Sequence, residues 1–238
     1  MKKLLLHIPN AITCLNLLCG ALGIAFLFKD RIDIAFWLLI AAAVFDFLDG
    51  FAARLLHAYS PLGKELDSLA DTISFGLLPA FMLYVVYLPS APSEWLAFIP
   101  FLVAVFSALR LAKFNVDTRQ TSSFLGLPTP ANALLIAAAV YYTRANLSWQ
   151  ELMQTSWFIP CMSVVLSFLL ISNLPMFSLK HKGFGLRENK VRYIFLGLCA
   201  ILVVTLLSTG NHPGLAMMGC ISLYIMMSGI LRISGHHQ

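Results

Sequence analysis

DFLDGFAARLLHAYSPLGKELDSLAD, residues 46 to 71, sets four aspartates, Asp46, Asp49, Asp67 and Asp71, inside otherwise apolar sequence. On a helix Asp46, Asp49, Gly50 and Ala53 fall at i, i+3, i+4 and i+7 and share one face. Asp67 and Asp71, at i and i+4, share a face of the next helix. Pro61 and Gly63 are expected to break the chain between the two, with the later helix starting near Leu66. Two antiparallel helices then aim four carboxylates at one point. An aspartate deep in a membrane helix costs about 2.5–3.5 kcal/mol. Four cost about 10–14 kcal/mol, comparable to the whole stability of a domain, about 5–15 kcal/mol. Clustered carboxylates also cannot all stay ionised without compensation. Two divalent cations, Mg2+ or Mn2+, meet both demands, since hard cations prefer carboxylate oxygen. A pair of metals about 3.5–4 Å apart suits displacement at phosphorus. A polar seam in a helical bundle requires no such spacing.

The surroundings of this stretch fix the class. Of 238 residues, 59% are hydrophobic and 11% charged, against about 25% charged in a soluble domain. This composition predicts an all-α integral membrane protein, residues 1–238 forming a single membrane domain. Cys14, Cys19, Cys161, Cys199 and Cys220 all lie in apolar runs, are odd in number and form no C-x2-C pair. They read as small packing residues. None of the six histidines sits mid-span, which argues against a histidine metal site. The net charge of +5 is topological in its placement, not a nucleic-acid signal.

Eight apolar segments approach the ~20 residues needed to span the hydrocarbon. They run approximately 10–28, 33–56, 66–88, 95–114, 129–145, 156–177, 191–209 and 213–231. Met1 to His7 resembles the start of a signal peptide but lacks a cleavage site, so it is expected to be retained. With the N-terminus in the cytoplasm, thirteen of the sixteen Lys and Arg fall on cytoplasmic stretches. These are Lys2, Lys3, Arg54, Lys64, Arg110, Lys113, Arg119, Lys180, Lys182, Arg187, Lys190, Arg192 and Arg232. Only Lys29, Arg31 and Arg144 fall outside. Positive charge collects inside, so both termini are expected to be cytoplasmic and the carboxylates to lie in the cytoplasmic leaflet. A lipid substrate then enters sideways and a soluble one from the cytoplasm.

The pattern Asp46-x2-Asp49-Gly50-x2-Ala53-Arg54-x8-Gly63-x3-Asp67-x3-Asp71 resembles, position for position, the signature of the CDP-alcohol phosphatidyltransferases. Further stretches resemble the phosphatidylserine synthase branch of that family. They are Pro9-Asn10-x2-Thr13, Asp67-Ser68-Leu69-Ala70-Asp71, Thr72 to Ala80, Arg110 to Asn115, and Phe124 to Asn132. The resemblance covers roughly residues 9–135. It departs from the branch at Lys113, where arginine is usual; the swap matters if that group clamps a carboxylate bidentately.

The resemblance implies a six-helix core, about 9–177, an additional hairpin, about 191–231, and a homodimer in a prokaryotic cytoplasmic membrane. It implies transfer of the phosphatidyl group from CDP-diacylglycerol to L-serine, giving phosphatidylserine and CMP. Asp46, Asp49, Asp67 and Asp71 would hold Mg2+ or Mn2+, and Asp71 would take the serine hydroxyl proton. Asn10, Thr13, Gly50, Ala53, Arg54 and Gly63 would bind CDP-diacylglycerol. Ser74, Arg110, Lys113, Asn115 and Gly126 are candidates for serine. Arg110 and Lys113 also read as cytoplasmic anchors, and Gly50 and Ala53 as close-packing residues. The stiff loop Phe124 to Pro130 is expected to cap the site and exclude water. Two rivals stand beside this reading. One is a sister enzyme accepting glycerol 3-phosphate or inositol. The other is an ion-coupled transporter, for which the sequence offers no inverted repeat.

Overall fold

The computed structural model describes residues 7–116, 124–176 and 189–233. Lys2, Lys3, Arg119, Lys180, Lys182 and Arg187, used in the charge count, lie outside the described residues.

Local chemistry sets the helix ends. α1 (Ile8–Leu27) carries Pro9 in its first turn, where a missing N–H has no helical partner to lose. Beyond it Asp30 is left-handed, φ 55°, and Arg31 N donates to Phe26 O at 3.0 Å. α2 (Ile32–Leu55) closes in the same way, with His57 at φ 49° and Ala58 N donating to Ala53 O at 2.9 Å. Such six-to-one closures turn the chain sharply at a helix end. The first makes α1 and α2 a tight hairpin, the most extensively packed pair among the described residues, and the second turns the chain towards α3.

α3 (Pro61–Asp71) starts earlier than expected. Pro61 and Gly63 do not break the chain; both lie in the first turn of α3. Ser60 is the N-cap, its Oγ accepting from Gly63 N at 2.9 Å, and proline suits the first helical position. A π-helical turn, Thr72–Leu77, follows directly on Asp71 and leads into α4 (Leu78–Tyr87). Leu78 N reaches back five residues to Ile73 O, just before Pro79, which has no N–H to offer. The wide turn changes the helix phase beside the aspartate. The continuous span Pro61–Ser90 is 30 residues long.

α5 (Glu94–Ala97) and α6 (Leu102–Val116) form the next span. α7 (Thr129–Tyr142) is largely enclosed, with Thr129, Asn132, Ala133 and Ile136 fully buried. α8 (Leu147–Met153) and α9 (Phe158–Ile171) are bent by 74° to each other. One short antiparallel ribbon, β1 (Phe124–Leu125) with β2 (Pro175–Met176), is the departure from helix and turn among the described residues. α10 (Lys190–Ser208) and α11 (Pro213–Ile233) complete the bundle, α11 packing along α7 with Ala216, Tyr224 and Ser228 buried.

Among the described residues six helical stretches are long and apolar enough to cross a membrane, seven if the bent pair counts as one. α7, with 14 residues, spans about 21 Å at 1.5 Å per residue and falls short of a ~30 Å hydrocarbon layer. Its neighbours shield it, so its length is not set by lipid. The outer faces are apolar: Phe47 is 65% exposed, Phe168 60% and Val204 67%. Large apolar side chains outside and polar ones inside mark an all-α integral membrane protein.

Candidate active site

The aspartates sit where α1, α2 and α3 meet. One carboxylate oxygen from each of Asp46, Asp49 and Asp67 lies within 4.8 Å of the others. Asp71, one turn along α3 from Asp67, is not in that group of three; its Oδ1 accepts from Asn16 Nδ2 at 3.1 Å. The four acids are thus brought to one place but sorted as a triad and a single carboxylate. Asp49 and Asp71 are buried, and Asp67 Oδ1 is enclosed with no hydrogen-bond partner. Among the described residues no Lys or Arg forms an ion pair with any of the four. Three carboxylates at this spacing, one with an orphaned oxygen, suit a divalent cation, for which oxygen ligands are preferred.

α1 supplies the neutral polar partners. Thr13 Oγ1 lies 2.6 Å from Asp49 Oδ2 and 3.0 Å from Pro9 O, and its single proton serves one of them at a time. Asn16, fully buried, holds Asp71. Sequence reasoning did not single out Asn16. It lies on one stripe with Asn10, Thr13, Gly20 and Gly23, and that spacing of three and four was the available signal.

Beside the triad lies a cleft of about 220 Å³. Of the residues the resemblance assigns to CDP-diacylglycerol, Asn10, Thr13, Gly50, Ala53 and Gly63 all line it, together with Asp49 and Asp67. A Cβ on Gly63 would meet Asn10 Oδ1 at 2.9 Å, whereas a Cβ on Gly50 would meet nothing within 4 Å. Gly63 is therefore small for packing, and Gly50 leaves its face open to the cleft. Arg54 does not line the cleft; it is exposed, and its Nε donates to Gly50 O at 3.0 Å. Lys64, read from sequence only as a topological anchor, does line it.

The serine candidates separate. Ser74 is fully buried and donates to Asn16 O at 2.9 Å. Asn115 Nδ2 donates to Ser68 Oγ at 2.7 Å, and Lys64 Nζ to Asn115 O at 2.9 Å, tying α6 to α3. Gly126 has φ 78° and donates to Leu174 O at 2.9 Å; a Cβ there would lie 2.4 Å from Leu170 O. It is required by the turn itself. Lys113 is exposed, at a notch shared with Arg110. Arg110 is buried, donating from Nη1 to Thr129 Oγ1 at 2.8 Å, and is within Coulombic range of Asp71.

A helical membrane bundle with an acidic triad beside an interhelical cleft defines an integral membrane protein with a candidate divalent-cation site. A family model described as CDP-alcohol phosphatidyltransferase matches residues 6–169, and the chain belongs to that family. Among curated relatives, the CDP-diacylglycerol–serine O-phosphatidyltransferase of Mycobacterium tuberculosis is 36% identical over 177 residues, 71% of this chain and 60% of that protein. The Mycobacterium leprae protein of the same name is also 36% identical, with 57% of its length matched, so the chain spans less than two thirds of these mycobacterial relatives. The Helicobacter pylori protein of that name is 31% identical over 208 residues, 84% of both chains.

Proposed function

We propose that the protein transfers the phosphatidyl group of CDP-diacylglycerol to L-serine, releasing CMP and forming phosphatidylserine. The observation that carries this reading is the triad Asp46, Asp49 and Asp67 opening onto a cleft lined by the small residues of the signature. The names of the relatives support serine as acceptor over glycerol 3-phosphate or inositol.

In this mechanism Gly50 and Ala53 give the cytidine room against the backbone, Gly63 lets α3 close on Asn10 at the edge of the cleft, and Lys64 faces its phosphates. Thr13 holds the Asp49 carboxylate. Asp46, Asp49 and Asp67 would hold Mg2+ or Mn2+, which would offset the charge of the diphosphate and of departing CMP. Asn16 fixes Asp71, which takes the proton of the serine hydroxyl. The serine oxygen bonds to the lipid-bearing phosphorus as the bond from that phosphorus to the CMP oxygen breaks. Apolar walls around the site keep water from competing.

The wider reading is a single membrane domain with a core of about 9–177, a homodimer, and a site in the cytoplasmic leaflet. The homodimer follows from the resemblance and is checked by cross-linking in membranes. Purified protein given CDP-diacylglycerol, Mn2+ and labelled serine should yield labelled lipid and an equal amount of CMP. CMP release with glycerol 3-phosphate or inositol and none with serine would assign it to a sister activity. No CMP release with any alcohol would overturn the enzyme reading.

A further inference from the structure

α11 begins against the last turn of α7, at the end of the bundle that also holds the ion pair of Arg144 with Asp30. Gly214 lies so close to α7 that a Cβ there would meet Ala138 O at 2.9 Å and Tyr142 Cβ at 3.4 Å. Two residues earlier His212 closes the joint. Its Nδ1 accepts from Gly214 N at 3.2 Å, which satisfies one of the N–H groups that a helix start leaves without a partner. An accepting Nδ1 carries no proton, so the ring is neutral with its proton on Nε2.

The ring is held in an aromatic corner. Its centroid lies 4.4 Å from that of Tyr141 and 6.0 Å from that of Tyr142. Both tyrosines are fixed in turn: Tyr141 stacks on Phe36 of α2 at 4.3 Å, and the Tyr142 hydroxyl accepts from Asn146, the N-cap of α8, at 3.1 Å. One imidazole therefore joins the C-terminal hairpin to a frame built from α2, α7 and α8. The charged and titratable groups on the neighbouring elements are Tyr141, Tyr142 and Arg144 at the end of α7, Asp30, Arg31 and Asp33 around the α1–α2 turn, and Glu151 on α8. Arg144 pairs with Asp30 and Arg31 with Asp33. Burial, not a charged neighbour, lowers the affinity of His212 for a proton below the usual histidine value.

We propose that His212 is a proton-operated latch: neutral, it fastens the start of α11 to α7, and protonated, it lets the α10–α11 hairpin loosen from the bundle. A proton on Nδ1 puts a donor in front of the Gly214 N–H, and the bond is lost. It also places a positive charge at a helix N-terminus, where the dipole disfavours cations. Attraction of the imidazolium to the Tyr141 ring opposes these two effects and does not outweigh them together with burial. The folded protein thus binds fewer protons here than the unfolded chain. The stability that His212 contributes is complete above about pH 6.5 and is lost as the pH falls below that value. The device lies apart from the cleft and does not depend on which alcohol the enzyme accepts.

The test follows hydrogen exchange in segment 209–218 and thermal unfolding of the full chain in detergent from pH 8 to 5, with exchange corrected for its intrinsic pH dependence. The comparison is His212→Asn, whose side-chain oxygen also caps a helix start and does not titrate. Wild-type protection of the segment should fall about threefold to tenfold between pH 7.5 and 5, tenfold being the scale of one pH unit of difference in proton affinity. Protection in the variant should stay constant, and its unfolding temperature should fall less on acidification than that of the wild type. Superimposed profiles, or wild-type protection that rises on acidification, overturn the proposal. Should the variant not fold, the wild type decides alone. A loss of protection confined to α10, α11 and the turn between them supports the latch. Constant protection down to pH 5, or a loss spread evenly over the chain, overturns it.

Discussion

Asp71 is set apart from the other three acids by its partner. Asp46, Asp49 and Asp67 converge on one another, while Asp71 is held by the neutral amide of Asn16. A group that must take a proton gains from being oriented without being neutralised. Asp71→Asn should retain CDP-diacylglycerol binding and lower kcat by about 10²-fold or more, the scale of removing a general base. Asp46→Asn and Asp49→Asn should instead weaken Mn2+ and nucleotide-lipid binding together. Titration of each variant with Mn2+ and with CDP-diacylglycerol, beside single-turnover rates, separates the two roles. An Asp71→Asn protein that turns over normally, or that loses binding as fully as Asp46→Asn, would remove the distinction. Gly50 permits a complementary test. A methyl there meets no atom of a neighbouring helix within 4 Å, so Gly50→Ala should leave the unfolding temperature unchanged or slightly higher. It should nonetheless cost at least about tenfold in KM for CDP-diacylglycerol, since the methyl occupies substrate space. Unaltered kinetics would mean that the nucleotide does not touch this face.

At the scale of elements, the site depends on how closely α1 approaches the helix behind Asp71. Gly20 lies against Ser74: a Cβ there would be 2.4 Å from its Oγ and 2.8 Å from its Cα. Gly20→Ala must therefore push α1 off the π-helical turn, and should cost about 1–3 kcal/mol of stability, as overpacking does. Adding Ser74→Ala should recover only part, because the Cα remains in the way. Thermal unfolding in detergent of the single and double variants measures this, and full recovery would show that the backbones are not the limiting contact. The same helices show what a sequence reveals. Asp46, Asp49, Gly50, Ala53, Asp67 and Asp71 were legible because a 3.6-residue period translates spacing directly into a shared face. Asn10 and Thr13 came with the resemblance and do line the cleft or hold Asp49. Asn16 carried the weaker signal, because its stripe with Asn10, Thr13, Gly20 and Gly23 reads equally well as a helix-packing seam. The side-chain direction of Arg54 was not legible, since a helical arginine can turn to solvent or to its own backbone with equal ease. Nor was the ribbon from Phe124 to Met176, whose strands are two residues long and have no period to read. The start of α3 was legible in principle: Ser60 and Pro61 are an N-cap and first-turn pair, whereas Pro61 and Gly63 read as a break.

For the whole molecule, the contacts between helix ends sort into two sets. At one end Arg144 is ion-paired with Asp30, Tyr87 donates to Ser156 O at 2.7 Å, and His212 lies against Tyr141 and Tyr142. At the other Lys64 donates to Asn115 O, and β1 pairs with β2. No contact of these sets joins one end to the other. Among the described residues six helical stretches, or seven with the bent pair, reach crossing length between these ends, against the eight expected from sequence. The two faces also differ in charge. Lys29, Arg31 and Arg144 lie at the first, and Arg54, Lys64, Lys113 and Lys190 at the second, which is the end that carries the cleft. The positive-inside tendency leads us to expect the second end in the cytoplasm. Single cysteines placed at Lys64, Lys113 and Lys190 in a cysteine-free background should then react with an impermeant maleimide only when the cytoplasmic face is open to it. Cysteines at Arg31 and Ser90 should react from the opposite side in intact cells. Were Lys190 to label with the second group, α10 and α11 would enter the membrane in the reverse sense. The packing of α11 along α7 would then have to be abandoned.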